Sequence, residues 1–407
     1  MLPKTWRRST LGEIARISSG GTPDRNKPEY WEGDVPWVTT GEIQFNTITD
    51  TAEKITSAGL QNSSAKLFPP GTLLMAMYGQ GKTRGQVAKL GIGASTNQAC
   101  AAIMLNEGND PDFYFQYFSS QYEELRELGN AGTQKNLNGG ILKGVMVPVP
   151  SGVEQRRIAQ ILATWDQAII KAENFLKNSL KRKRGLTRDL VLGRTRFPRF
   201  NTPWQQLSFR DVLKEVKRRV DWDDEQAYPL ISVRRRSEGA FHRETLNGSE
   251  ILTKKLNYAY EGEFLLSKMQ VVHGAMAVVP AALDGMFVSD SYLTFKSADE
   301  DRFDINFIGW LSTTQKMYKA VRRCSYGVHI EKMTFDLDMF LGEKLLIPTT
   351  REEQRLICDV LERAQAEIKA ASDHLEQLKR EKAALMSQLL TGKLRVKMPD
   401  VEEETQA

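Results

Sequence analysis

The chain has 407 residues, 41% of them hydrophobic and 26% charged, with a formal net charge of +5. That length exceeds one ordinary core, so two or more domains are expected, and the mild basicity suits a polyanion partner without requiring one. Three cysteines, Cys100, Cys324 and Cys358, are an odd number far apart, which speaks against a disulfide framework and for a reducing, cytoplasmic setting. The apolar stretch at 275–283 is broken by Pro280 and is too short to span a bilayer, so no membrane is expected.

In chain order, residues 1–150 read as a first mixed domain, with strands at 35–38 and 72–77 and a helix at 113–128. A long helix follows at 151–193. Ser151 and Glu154 have the spacing of a capping box, and Gly193 supplies a left-handed stop. Its apolar positions, Ile158, Leu162, Trp165, Ile169, Leu176, Leu186 and Leu190, fall on a heptad seam. Residues 198–348 form a second mixed domain, with strands at 228–233 and 263–266 and a helix at 303–323. A second long helix at 350–392 runs from Thr350 and Glu353 to Gly392, its seam made by Ile357, Leu361, Ile368, Leu375, Leu378, Leu385 and Leu389. Residues 393–407 are read as a polar tail.

The two halves repeat. Glu154-Gln155-Arg156-Arg157-Ile158 returns as Glu353-Gln354-Arg355-Leu356-Ile357, and the offset of 199 holds to Gly193-Arg194 and Gly392-Lys393; upstream, Trp6 answers Trp204. Lys183 and Lys382 interrupt both seams at the same place. Each helix of some forty residues is a rod of roughly 60 Å whose narrow seam needs a partner. That partner is the other helix of the chain, antiparallel if a pseudo-two-fold relates the halves, or a second copy. The fold class expected is α+β: two mixed α/β domains separated by a pair of long antiparallel coiled-coil helices, in a pseudo-two-fold internal repeat.

The glycine-bearing loops differ between the halves. Gln80, Lys82, Thr83 and Arg84, with Thr133, Gln134, Lys135 and Asn136, stand in the first half; Lys268 and His273, with Tyr326 and His329, stand in the second. Such side chains match base-edge donors and acceptors in a major groove, although each taken singly reads as well as a solvated loop residue. Arg234, Arg235 and Arg236, like Lys217-Arg218-Arg219, serve phosphate contact or plain solubility, and the run 181–184 reads as a solvated face or a subunit contact.

This layout resembles the specificity subunit of Type I restriction-modification enzymes over nearly the whole chain. The likeness is carried by Trp6 with Leu11-Gly12-Glu13-Ile14, Gly20-Gly21-Thr22-Pro23, Tyr30-Trp31, Val35-Pro36-Trp37-Val38, Pro148 and Pro348 before the two Glu-Gln-Arg motifs, and Leu390-Thr391-Gly392-Lys393. The second half departs from it, with Lys217-Arg218-Arg219 near the place of the Gly-Gly-Thr-Pro opening. The resemblance implies two target-recognition domains on double-stranded DNA, helices that fix the unread gap between half-sites, and a bipartite, asymmetric target. It also implies two adenine-methylating modification subunits and restriction or motor subunits as partners. On this view the chain catalyses nothing and binds no cofactor, S-adenosylmethionine, ATP and magnesium belonging to the partners.

Enzyme readings fail on the residues. The stretch from Met75 to Thr83 approaches a phosphate-binding P-loop, but Ala76 stands at the first glycine position and Gly85 follows where a helix should begin. The Pro69-Pro70 pair reads as a turn before a strand, not a base clamp. His242, His273, His329 and His374 show no metal spacing with the cysteines. Two alternatives stay open: a coiled-coil scaffold without a DNA role, and a DNA-modifying enzyme with unrecognised motifs.

Overall fold

The structure, a computed structural model, describes residues 3–79, 82–128, 136–327 and 333–397. It divides into two compact units, 1–173 with 373–407 and 174–372, so each unit takes half of each long helix.

The first unit is built on a five-stranded sheet. Strands β1 (Ala15–Ser19), β2 (Leu73–Ala76), β3 (Val87–Leu90) and β4 (Cys100–Leu105) lie in the order β1-β4-β2-β3, with Thr47–Ile48 at the edge. All four residues of β2 are buried because both faces of the sheet are covered. Leu73 and Met75 join a core with Trp6, Phe113, Ile158 and Leu162, while Leu74 and Ala76 join another with Val38, Ile43 and Phe68. The period of two in the strand thus becomes two separate cores. A four-stranded sheet containing Trp31–Val38 lies beyond. Helices α1 (Pro111–Ser120) and α2 (Tyr122–Glu127) replace the single helix expected at 113–128. The turn at Gln121 divides them, its N–H accepted by both Tyr117 O and Phe118 O as α1 tightens at its end.

Helix α3 (Gly152–Val191) leads into the second unit, which repeats the scheme. Strands β5 (Leu213–Val216), β6 (Phe264–Ser267), β7 (Met276–Val278) and β8 (Tyr292–Ser297) take the matching order β5-β8-β6-β7. Beside them stands a four-stranded sheet containing Ala227–Val233. Helices α4 (Ile305–Ser312) and α5 (Gln315–Arg323) again replace one expected helix. Thr314 ends the first by donating to Leu311 O and caps the second by accepting from Met317 N at 3.4 Å. Helix α6 (Arg351–Leu389) closes the unit.

The long helices pair within the chain. In the first unit Lys382 Nζ lies 2.6 Å from Asp166 and Lys379 2.7 Å from Glu173; in the second, Ser179 donates to Glu367 at 2.8 Å and Lys183 reaches Gln365. Residue numbers fall on one helix as they rise on the other, so the pairing is antiparallel in both units. Every seam residue named above is buried or half-buried. Those at the ends serve the globular cores: Ile158 and Leu162 with Leu389 in the first unit, and Leu190 with Ile357 and Leu361 in the second.

The two capping boxes are only half formed. Ser151 Oγ accepts from Glu154 N at 3.3 Å and Thr350 Oγ1 from Glu353 N at 3.4 Å, as a cap requires. The carboxylates do not reach back. Each is 2% exposed and is held instead by an indole and a guanidinium. Glu154 accepts from Trp6 Nε1 at 2.9 Å and from Arg395 at 2.7 and 3.1 Å; Glu353 accepts from Trp204 Nε1 at 3.1 Å and from Arg196 at 2.9 and 2.8 Å. A charge-assisted bidentate pair outweighs one backbone N–H at a buried carboxylate. Arg395 stands in the segment read from sequence as a polar tail. The glutamine that follows each of these glutamates is also engaged. Gln155 bridges Pro150 O and Asp110 N, and Gln354 bridges Pro348 O and Asp304 N, which ties each long helix to the cap of α1 or α4.

Candidate nucleic-acid interface

In the first unit β2 runs into a loop and returns as β3, a hairpin where a P-loop would need a helix. Lys82 is exposed, and Thr83 and Arg84 are half-buried. Thr83 O accepts from Gln86 N at 3.1 Å, and Tyr122 at the start of α2 donates its hydroxyl to Lys82 O. Gly85, at φ +84°, lies against the same helix; a Cβ there would stand 2.9 Å from the Arg126 side chain. The second predicted segment joins this loop at Leu137, whose N–H donates to Met77 O at 3.0 Å, with half-buried Asn136 beside it. The structure therefore brings Lys82, Thr83, Arg84 and Asn136 to one hairpin end. Gln80, Thr133, Gln134 and Lys135 lie outside the described residues.

The second unit makes the corresponding arrangement by other residues. Lys268 opens the turn after β6, donating its N–H to Ser291 O at 2.8 Å, and the turn closes at His273, half-buried, and Gly274 at φ +77°. A Cβ on Gly274 would fall 2.2 Å from Tyr318 Oη on α5, so only glycine fits. The arginine run arrives at the same point. Ser237 N donates to Gly274 O at 2.7 Å and Ser237 Oγ lies 3.3 Å from Tyr318 Oη, while Arg234, Arg235 and Arg236 are exposed just before it. Arg236 and Ser237 both hold positive φ, 61° and 54°, a costly conformation maintained by those bonds. Arg234 lays its guanidinium 4.1 Å from the centre of the Phe241 ring. Tyr326, 59% exposed, sits beyond the end of α5 in a two-stranded hairpin with Thr334, a pairing separate from the junction of the other two segments. His329 lies outside the described residues.

Two features escape sequence reading. Gln270 lies in the same turn with its Oε1 buried and without a hydrogen-bond partner among the described residues; nothing in a polar loop sequence marks one amide as buried. In the run at 217–219 the middle residue is engaged structurally, while Lys217 and Arg219 expose their side chains. Arg218 pairs with Glu263 at 2.7 Å and covers the Tyr260 ring, and the Arg219 backbone forms an antiparallel bridge with that of Asn257. The first unit's Gly-Gly-Thr-Pro opening also has a packing cause, since a Cβ on Gly20 would meet Thr96 O at 2.0 Å and one on Gly21 would meet Ser64 Oγ at 2.2 Å. Among the described residues there is no cluster able to hold a metal ion and no helix long and apolar enough to cross a membrane.

Fold and loops together define a class: twin mixed α/β units, each carrying half of an antiparallel helix pair, and each presenting polar loops unlike those of the other. Comparison with known proteins agrees. Residues 3–182 match the family described as the Type I restriction modification DNA specificity domain. The MjaIX specificity subunit of a Type I restriction enzyme from Methanocaldococcus jannaschii is 30% identical over 173 residues, covering 41% of this chain and 39% of that protein. The match thus spans about two fifths of such relatives' length. The MjaVIII specificity subunit of the same organism is 20% identical over 97% of this chain and 94% of its own. The S subunit of a Type I restriction-modification system from M. genitalium shares the fold, with a TM-score of 0.55 and 13% identity over 97% of each chain. The chain is thus similar to Type I specificity subunits, over residues 3–182 by the family match and over nearly its whole length by the more distant relative.

Proposed function

We propose that the chain is the sequence-specific DNA-binding subunit of a Type I restriction-modification complex. It reads a bipartite, asymmetric target and directs adenine methylation and restriction by its partners. One observation carries the reading: a single scaffold, repeated down to its Trp-Glu-Arg clasps, presents unlike residues at the corresponding turn, after β2 in one unit and after β6 in the other. A shared scaffold with divergent loops suits two half-sites of different sequence on one duplex. The helix pair sets the gap between them. Two modification subunits carry S-adenosylmethionine, ATP and magnesium belong to partners as well, and this chain contributes no catalytic group.

The test is methylome sequencing of cells carrying the wild-type complex and a variant in which Gln134, Lys135 and Asn136 become Ala. One half of the methylated motif should relax while the other stays, each lost base contact costing about 1–3 kcal/mol of discrimination. Equal relaxation of both halves would refute the assignment. Turnover by the purified chain alone, with cofactor, ATP and magnesium, would refute the non-catalytic role.

A further inference from the structure

Helices α2 and α5 occupy the same place in the two units. Each follows the helix whose cap is tied to Gln155 or Gln354, and each packs on a recognition loop, through Tyr122 on Lys82 and through Tyr318 on Gly274. Their charges are opposite. Helix α2 reads YEELRE and carries Glu123, Glu124 and Glu127 against Arg126, whereas α5 reads QKMYKAVRR and carries Lys316, Lys319, Arg322 and Arg323 with no acid. Arg323 is committed to Glu343 at 2.9 Å. Lys319 and Arg322 are exposed and have no ion pair among the described residues.

The long helix beside α5 is basic too, and partly so in the second unit alone. A cavity of about 600 Å3 in the second unit is lined by Lys183, Arg184, Arg188 and Arg194 together with Thr313 and Gln315, at the N-terminal end of α5. At the repeat offset, Lys183 and Arg194 keep basic counterparts in Lys382 and Lys393, whereas Arg184 and Arg188 correspond to Ala383 and Ser387. The basic surface of α5 therefore continues onto α3, and two of its cations, Arg184 and Arg188, have no basic counterpart in the first unit.

Resting on the reading under Proposed function, we infer that this surface, centred on Lys319 and Arg322, grips the phosphate backbone beside the second half-site, so that the second unit anchors the duplex electrostatically. Two copies of one modification subunit need equivalent docking surfaces on the two halves, and these residues are not equivalent. A phosphate backbone carries no such requirement: its charge is continuous, so anchoring can be concentrated on one side. The position also fits. Helix α5 lies against the turn of Lys268 to His273 and leads into the hairpin of Tyr326, so cations on its exposed face flank the segments that read bases, as phosphate contacts do.

The experiment measures binding of the full complex to its motif duplex between about 50 and about 200 mM salt, for wild type and for Lys319→Gln with Arg322→Gln. The slope of log K against log salt should fall by about two, with affinity near 0.1 M salt reduced on the order of fiftyfold for every sequence alike. Lys319→Arg should keep the wild-type slope, and the methylated motif should not change. Both substituted residues are exposed, and an unchanged melting curve checks the fold. An unchanged slope overturns the inference, as does relaxation at one base pair, which would make these residues base readers. Unchanged slope with loss of copurifying modification subunits makes the surface a protein dock and overturns it too. If the wild-type complex neither binds a motif nor shows a salt slope, the DNA reading itself fails, a result distinct from failure of the variant alone.

Discussion

Arg196 closes on Glu353 across 157 positions of sequence, its Nε 2.9 Å and its Nη2 2.8 Å from the two carboxylate oxygens. The arginine follows the first long helix and the glutamate opens the second, so the bond fixes the end of one helix to the start of the other within the second unit. Arg395 and Glu154 do the same in the first unit, 241 positions apart.

The pair is unequal in burial, and this sets the outcome of cutting it. Glu353 has 2% of its side chain exposed and Arg196 has 25%. Removing the arginine by Arg196→Ala strands a buried carboxylate with only the Trp204 indole, at a cost of about 3–5 kcal/mol. Glu353→Ala leaves a guanidinium that can turn to water, so it should cost less. Denaturant unfolding of the two variants checks the order; equal losses would show that packing, not charge, dominates at the clasp.

The cysteines give a pH-dependent prediction. Burial is the leading cause at each site, pushing Cys100 up to about 12, Cys324 to about 11, and Cys358 higher still. A raised thiol pKa disfavours the thiolate, which is the reactive species. At pH 8 the native chain should therefore leave all three thiols unmodified by a thiolate-selective reagent over minutes, and full denaturation should release three. As pH rises, Cys324 should react first. A native burst of one equivalent at pH 8 would contradict the burial.

Much of this fold is legible in the sequence because its signals are local or periodic. The heptad steps from Ile158 to Leu190 and from Ile357 to Leu389 need only the 3.5-residue period, and the repeat at offset 199 needs only self-comparison. What stays hidden is long-range. Glu154 and Glu353 look like capping-box residues because that motif is read within four positions, while Trp6, Arg395, Trp204 and Arg196 lie 148 to 241 positions away or across the repeat. Lys183 and Lys382 look like breaks in the seam, yet each meets an acceptor on the facing helix, Gln365 and Asp166. At the candidate site the loops can be found by their glycines. That Arg234 to Arg236 and Lys268 to His273 meet at Ser237 and Gly274 cannot, since a backbone bond between two loops leaves no pattern in either.

Gly274 is the test of that junction. Gly274→Ala combines a left-handed φ of +77° with a Cβ 2.2 Å from Tyr318 Oη. The conformation alone costs on the order of 1 kcal/mol, and the clash forces the Tyr318 ring off its seat. Specificity should be lost in one half of the methylated motif only, the half that survives substitution of Gln134, Lys135 and Asn136. Adding Tyr318→Ala should recover part of the thermal stability by removing the clash. No recovery would place the strain in the backbone alone.

The helix pair should act as a ruler, and the position of the unit boundary says where to lengthen it. Compact units end at 173 and 372, so a heptad inserted after Ala172 and another after Ala371, which are equivalent at the repeat offset, leaves both cores and both clasps untouched. Seven residues preserve the seam, where four would introduce a stutter. Each helix grows by about 10 Å, roughly three base pairs at 3.4 Å each. Three base pairs also rotate one half-site against the other by about 100° on a duplex of some 10.5 pairs per turn, so affinity should fall as DNA or protein twists to compensate. The methylated motif should keep both half-site sequences and gain a longer unread gap. Methylome sequencing of the doubly inserted variant decides it: an active enzyme with the original gap would leave the helices as a docking rod that measures nothing.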